Sequence, residues 1–245
     1  MSKQAKAKAN SKSNSTNGGD HFTRWLVIGM VALVVVTGVV FSMMSTNTKA
    51  NESFTALKGY TLGEPVEASV AESQGFGLVL NPGAPVKIDI WEDPQCPICR
   101  TFEEANGEYI DELIRTKKAT VIYHVLSFLG DESVQAANAA MCSAVEGHYL
   151  DFHKALYIVQ PAIENSGFFT SENLIKIGDY IGLKSKSFID CVNNGKMSNL
   201  VKSHADSMEK YKVTGTPTVF INDKLWIRKS NAFDPVEFRL AVEAG

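Results

Sequence analysis

The sequence predicts an α/β fold built from a β-α-β unit, a block of helices, a β-hairpin and a closing helix, preceded by one membrane-spanning helix. Three observations carry that expectation. PVKIDIWE at 85–92 alternates apolar and polar residues, and ATVIYHVLSF at 119–128 is β-branched and aromatic, so both read as strands. Between them Phe102, Ala105, Tyr109, Leu113 and Ile114 recur at helical spacings. Residues 131–212 then carry almost only helical signals before GTPTVFIND returns to strand grammar.

Taken in order, the chain opens with a tail, 1–24, that holds Lys3, Lys6, Lys8, Lys12 and Arg24 against the single acid Asp20. Its remaining Ser, Asn, Ala, Gly and Thr cannot bury a core, so a disordered segment is expected. Residues 25–44, WLVIGMVALVVVTGVVFSMM, carry no charge. At ~1.5 Å per residue twenty helical residues span roughly 30 Å, the thickness of a bilayer's hydrocarbon. A cleaved secretory signal is the rival reading, with Thr48-Lys49-Ala50 as a loose cleavage site. The apolar run exceeds the usual ~7–15 residues of a signal core, which favours a retained anchor. The Lys/Arg excess ahead of it places the N-terminus in the cytoplasm and the rest of this single-pass protein outside the membrane.

Residues 45–74, with Gly59, Gly63 and Pro65, read as a polar linker, and 75–245 as the folded domain. GLVL at 77–80 is a short strand closed by the turn Asn81-Pro82-Gly83. Within the helical block of about 131–212, Gly147 marks a break and Thr170 or Ser171 caps a helix. A further helix is expected from Lys196 to Tyr211. KLWI at 224–227 returns across an Asn222-Asp223 turn, and DPVEFRLAVEA closes the chain with Asp234 capping and Pro235 at the first helical position.

The net charge of −3 supplies no basic stripe to neutralise phosphates, so no nucleic-acid partner is expected. The chain has 4 cysteines. Cys96 and Cys99 enclose Pro97 and Ile98, a CxxC spacing open to zinc binding, a structural bridge or redox exchange. Zinc needs four ligands, commonly two such pairs or closely spaced histidines. Only one pair exists, and the histidines at 124, 148, 153 and 204 lack ligand spacing and read as surface or helix-end residues. No metal and no cofactor are expected. Outside the cytoplasm disulfides persist, so Cys142 and Cys191 are expected to pair; two buried free thiols are the alternative. A bridge closing roughly 50 residues stabilises by up to about 4 kcal/mol on the chain-entropy estimate.

CPIC at a strand-to-helix junction, followed far downstream by TGTPTVFIN with Pro217 opening a strand, resembles the DsbA-like branch of the thioredoxin superfamily. The similarity covers roughly 75–245, and with the anchor the chain resembles in particular the membrane-anchored proteins of Gram-positive bacteria and actinobacteria. The resemblance implies a thioredoxin fold with an inserted helical domain. It makes Cys96 the exposed attacking thiol and Cys99 the buried resolving one. It also implies a cis bond before Pro217 and a Thr216 backbone that pairs with an extended substrate, beside Pro97 and Ile98. The implied activity is the introduction of disulfides into secreted or cell-envelope proteins. A membrane quinone-linked reoxidase, DsbB-like or vitamin K epoxide reductase-like, would then restore the disulfide. A reductase or isomerase, for example in cytochrome maturation, or a non-enzymatic binding module is the alternative.

The physical reading of the dithiol runs the same way. Unsatisfied N–H groups and the positive dipole end at a helix start stabilise a Cys96 thiolate, and Cys99 lies one turn further in. The sequence departs from thioredoxins and enterobacterial DsbA in one respect. Their buried acid six residues before the first cysteine is Ile90 here. Glu92 and Asp93 lie closer, either to relay the Cys99 proton or as turn residues that raise the Cys96 pKa by like charge while turning toward water.

Overall fold

The computed structural model describes residues 28, 30, 33, 35, 36, 53–229 and 232–245. The chain divides into two compact units, Met1–Lys49 and Ala50–Gly245. Among the described residues no helix is long and apolar enough to cross a membrane. The expected anchor at 25–44 lies outside the described residues except at Ile28, Met30, Leu33, Val35 and Val36, which are helical and exposed.

The second unit is built on a six-stranded sheet. Its strands are β1 (Ala68–Ala71), β2 (Gly77–Leu80), β3 (Val86–Glu92), β4 (Ala119–Val125), β5 (Thr218–Ile221) and β6 (Lys224–Leu225), in the spatial order β1-β2-β4-β3-β5-β6. Only β3 and β4 run parallel, with Ile88 beside Val121 and Ile90 beside Tyr123; every other pairing is antiparallel. A parallel pair is covered on both faces, and all seven residues of β4 are accordingly buried. Helix α1 (Pro97–Arg115) makes the crossover and buries Cys99, Phe102, Asn106, Ile110 and Leu113 along one face.

The helical insert consists of α2 (Asp131–Ala144), α3 (Tyr149–Val159), α4 (Ser171–Ile181), α5 (Lys186–Asn193) and α6 (Ser198–Ser207). Ala136, Ala137, Ala139 and Ala140 of α2 are fully buried, and their small side chains let neighbouring helices approach closely. Gly147, at φ +77°, provides the left-handed residue between α2 and α3. The Thr170 side chain caps α4 by accepting from the Asn173 N–H, and Cys142 on α2 is joined to Cys191 on α5 in a disulfide. The β5–β6 turn places Asn222 and Asp223 at φ +47° and +63°, the geometry of a two-residue hairpin loop. Strand β6 is shorter than the expected 224–227. Helix α7 (Pro235–Glu243) starts on Asp234 with Pro235 in its first turn, and Phe238 meets Phe102 of α1 edge to face.

The folded unit begins earlier than residue 75. Phe54 and Leu57, assigned to a polar linker, are core residues at 2% and 1% exposure. Phe54 stacks on Tyr180 of α4, Tyr60 donates to Asp151, and the Val66 N–H bonds the Gly147 carbonyl. Strand β1 follows and pairs with β2. Isolated apolar residues in a polar stretch carry no period, so nothing local announces this strap.

Candidate active site

Strand β3 delivers the chain to the turn Asp93-Pro94-Gln95, and α1 begins immediately after it. Cys96 is the N-cap of that helix, with φ −68° and ψ 117°, and Pro97 opens its first turn. The Cys96 N–H bonds the Asp93 carbonyl at 2.9 Å, closing the turn. On the neighbouring strand, β5 is entered through the cis peptide Thr216–Pro217. This bend sets the Thr216 carbonyl 3.7 Å from Cys96 Sγ, within reach of its thiol proton. Cys96, Cys99, Thr216 and Pro217 are therefore brought to one place from opposite ends of the fold.

The two thiols differ in setting. Cys96 is 7% exposed and Cys99 0%, so the expected contrast in access is smaller than an openly exposed attacking thiol would give. The Cys96 pKa is lowered to about 6, first by a hydrogen bond from Cys99 and against the opposing effect of burial. Thr216's side chain and the N–H groups of Cys99 and Ile98 add to the lowering. Burial pushes the Cys99 thiol well up, reinforced by its bond to Cys96 and by the charges of Cys96 and Glu92. Pro97 is exposed, and Ile98 is half exposed at the mouth.

The neighbouring acids do not turn toward water. Glu92 is 1% and Asp93 0% exposed. Asp93 accepts from the Gln95 N–H at 2.9 Å, the Ser133 hydroxyl at 2.6 Å and the Phe128 N–H at 3.1 Å. Burial outweighs these bonds and lifts its pKa to about 6. Asp93 thus ties the turn to the start of the insert. From α3, Tyr157 donates to the Asp93 carbonyl, and Gln160 just beyond donates to the carbonyls of Pro94 at 2.7 Å and Cys96 at 3.1 Å.

Glu92 bonds His153 of α3, and Glu103 of α1 joins them. Burial opposes charge on His153, but the nearby Glu92 and Glu103 carboxylates outweigh it and raise its pKa. Burial and the Glu92 charge raise that of Glu103. Of the histidines expected at the surface or at helix ends, His148 is the N-cap of α3 as expected, whereas His124, His153 and His204 are buried. Sequence reasoning missed Glu103, Ser133, His153, Tyr157 and Gln160. One signal was present, since Tyr149, His153 and Tyr157 fall four apart on one helix face, as do Cys99 and Glu103.

Residues 78–241 match the family described as Thioredoxin. Over 152 residues, 56% of this chain, the sequence is 28% identical to serine/threonine-protein kinase PknE of Mycobacterium tuberculosis. The match spans only 27% of that kinase's length. The probable disulfide bond formation protein D of Bacillus anthracis is 24% identical over 210 residues, covering 82% of this chain and 87% of that protein. Oxidised DsbA of Mycobacterium tuberculosis superposes with a TM-score of 0.57 at 26% identity, covering 66% of this chain and 85% of that one. The chain belongs to the thioredoxin family and is similar to members of its DsbA-like branch of thiol:disulfide oxidoreductases.

Proposed function

We propose that the protein introduces disulfides into secreted or cell-envelope proteins, held at the membrane by residues 25–44 with its folded unit outside the cytoplasm. The observation that carries the direction is the seat of Cys96 at the N-cap of α1, where a hydrogen bond from Cys99 first, then Thr216 and the N–H groups of Cys99 and Ile98, lower its pKa against the effect of burial. Whatever stabilises the thiolate stabilises the reduced dithiol, and so makes the disulfide the better oxidant.

In the forward reaction a substrate thiolate attacks Cys96 Sγ of the Cys96–Cys99 disulfide. The sulfur–sulfur bond breaks, Cys99 leaves as a thiolate and takes up a proton, and a mixed disulfide joins Cys96 to the substrate. A second substrate thiolate then attacks its partner sulfur and releases Cys96 as a thiolate. The substrate gains one disulfide and two electrons pass to the protein. Cys99 is a poor thiolate in its buried place, so its reverse attack on the mixed disulfide is slow while it holds its proton. The Thr216 backbone and the exposed Ile98 offer an extended segment a polar edge and an apolar contact. A membrane quinone-linked reoxidase would take the electrons on.

Equilibration of the protein with glutathione, with both forms trapped by acid and alkylation, tests the direction. The expected potential lies above thioredoxin's roughly −270 mV. A value at or below it makes the protein a reductase. The uncharged run at 25–44 and the basic tail support the anchor, as does the Cys142–Cys191 bridge, a bond typical of oxidising compartments. Carbonate-washed membranes should retain the full-length chain, and external protease should digest the folded unit in intact cells. A soluble chain starting near Asn51 rejects the anchor.

A further inference from the structure

Behind the dithiol, three elements bring together a donor set that disulfide exchange does not use. Glu92 ends β3, Glu103 lies on the Cys99 face of α1, and His153 occupies the middle of α3. One oxygen or nitrogen from each residue lies within 4.8 Å of the other two. Glu92 is 1% and His153 5% exposed, and Glu103 is partly exposed, so the group runs from the interior toward the surface. His153 Nε2 meets Glu92 Oε1, but Glu92 Oε2 and Glu103 Oε1 are buried and meet no donor other than a proton shared between the two carboxyls. The hydroxyl of Tyr149, a residue with 0% exposure, is also without a partner. Its ring stacks on His153 at 5.2 Å, and Glu92 and Glu103 are the charges that bear on it.

Buried acceptor oxygens that meet no donor cost of the order of 1–3 kcal/mol each, and more for a charged carboxylate. Something positive between them removes that cost. Two carboxylates and one imidazole form the mixed oxygen and nitrogen set that suits zinc, manganese or ferrous iron rather than a thiolate-seeking ion. The cluster also has a way in. A cavity of about 260 Å³ between α1 and α3 is lined by five carboxylates, Glu103 among them, against only Arg115 and Lys154. A concave surface with an excess of one charge concentrates ions of the opposite sign.

We infer that Glu92, Glu103 and His153 form a binding site for one divalent transition-metal ion, entered from the acidic cavity between α1 and α3. The site borders the dithiol through Glu92, whose charge bears on Cys99, but its existence does not depend on the direction of electron flow. Tyr149 orients His153 by stacking and offers its hydroxyl to the ion's remaining coordination positions or to a water bound there.

The test uses the full-length protein with the Cys96–Cys99 disulfide closed, because an open dithiol would itself bind zinc. Manganese is the first probe, followed by its electron paramagnetic resonance, and zinc the second, followed by calorimetry. One ion per chain should bind saturably, and zinc should raise the melting temperature. Glu103→Gln and His153→Gln should each weaken binding by more than about tenfold, the loss that even an outer ligand partner can cause. Far-UV circular dichroism establishes that each variant is folded, and whichever one folds decides the matter. Absence of saturable binding overturns the site and leaves a shared proton and the His153 imidazolium as its only cations. Undiminished binding in a folded variant overturns it equally, because the ion then sits elsewhere.

Discussion

Cys96 and Cys99 stand one helical turn apart, yet their thiols are pushed in opposite directions. Cys96 receives the Cys99 hydrogen bond, the Thr216 side chain and two N–H groups, while Cys99 is fully enclosed and faces the charge of Glu92. Alkylation of the reduced protein should therefore occur at Cys96 with a midpoint near pH 6, the value to which its pKa is lowered. Cys99 should stay unreactive through pH 9, since burial raises it above its ordinary value of 9.0. Cys99→Ala removes the largest cause of the lowering and should move the Cys96 midpoint upward; an unchanged midpoint assigns the effect to the helix end instead. CPIC and GTP were legible because each is local: a cap, a first-turn proline and a proline-led strand occupy adjacent residues. The setting of Glu92 and Asp93 was not. Their burial comes from Ser133, His153 and Tyr157, which lie 40, 61 and 64 residues further on and close over the end of β3 only when the insert folds.

Among the elements, the insert depends most on a cross-link. Helices α2 and α5 lie far apart in sequence and are joined through Cys142 and Cys191, with a separation of 49 residues. Replacing both by Ala should cost about 2–4 kcal/mol, chiefly by freeing the unfolded chain. The lost stability should appear as a lower urea midpoint, while turnover of a model dithiol peptide persists, because neither cysteine touches Cys96 or Cys99. Loss of turnover in the folded variant would show that the bridge also holds the site in shape. Strand β2 offers a second test. A Cβ on Gly77 would press into Ile122 and lie 2.7 Å from His124 Cε1, both on the neighbouring β4. Gly77→Ala should destabilise by about 1–3 kcal/mol, the usual range for overpacking, read from thermal melts. At this scale β3, α1, β4 and α7 could be read from period and caps. β1 and the Phe54–Leu57 strap could not, because a short edge strand and two lone apolar residues gain meaning only from what they pack against.

At the scale of the whole molecule, the setting of the dithiol becomes a difference in stability between redox states. In the reduced protein Cys96 has its pKa lowered from 9.0 to about 6. For a group whose folded pKa is depressed, the stabilisation is complete above the unfolded value and is lost as pH falls through the folded one. The reduced form is therefore favoured by an amount that grows from pH 6 upward. Closing the disulfide removes the thiolate and all of that stabilisation. The opposing effect is the restriction a disulfide places on the unfolded chain, which is least for so short a loop as Cys96–Cys99. Around the site, Asp93 and Cys96 repel when both are ionised, which holds part of the gain back near neutrality. The helix N–H groups and the Cys99 bond point at the sulfur itself, whereas the Asp93 carboxylate is engaged by Ser133, Gln95 and Phe128, so the favourable contacts should prevail. Urea unfolding at pH 7 should give a higher midpoint for the protein with Cys96–Cys99 reduced than for the same protein with it closed, Cys142–Cys191 being intact in both. The gap should narrow on going from pH 7 to pH 5. A closed form as stable as the open one at pH 7 would mean that the thiolate seat does not drive oxidation, and would leave the direction of electron flow to the reoxidising partner alone.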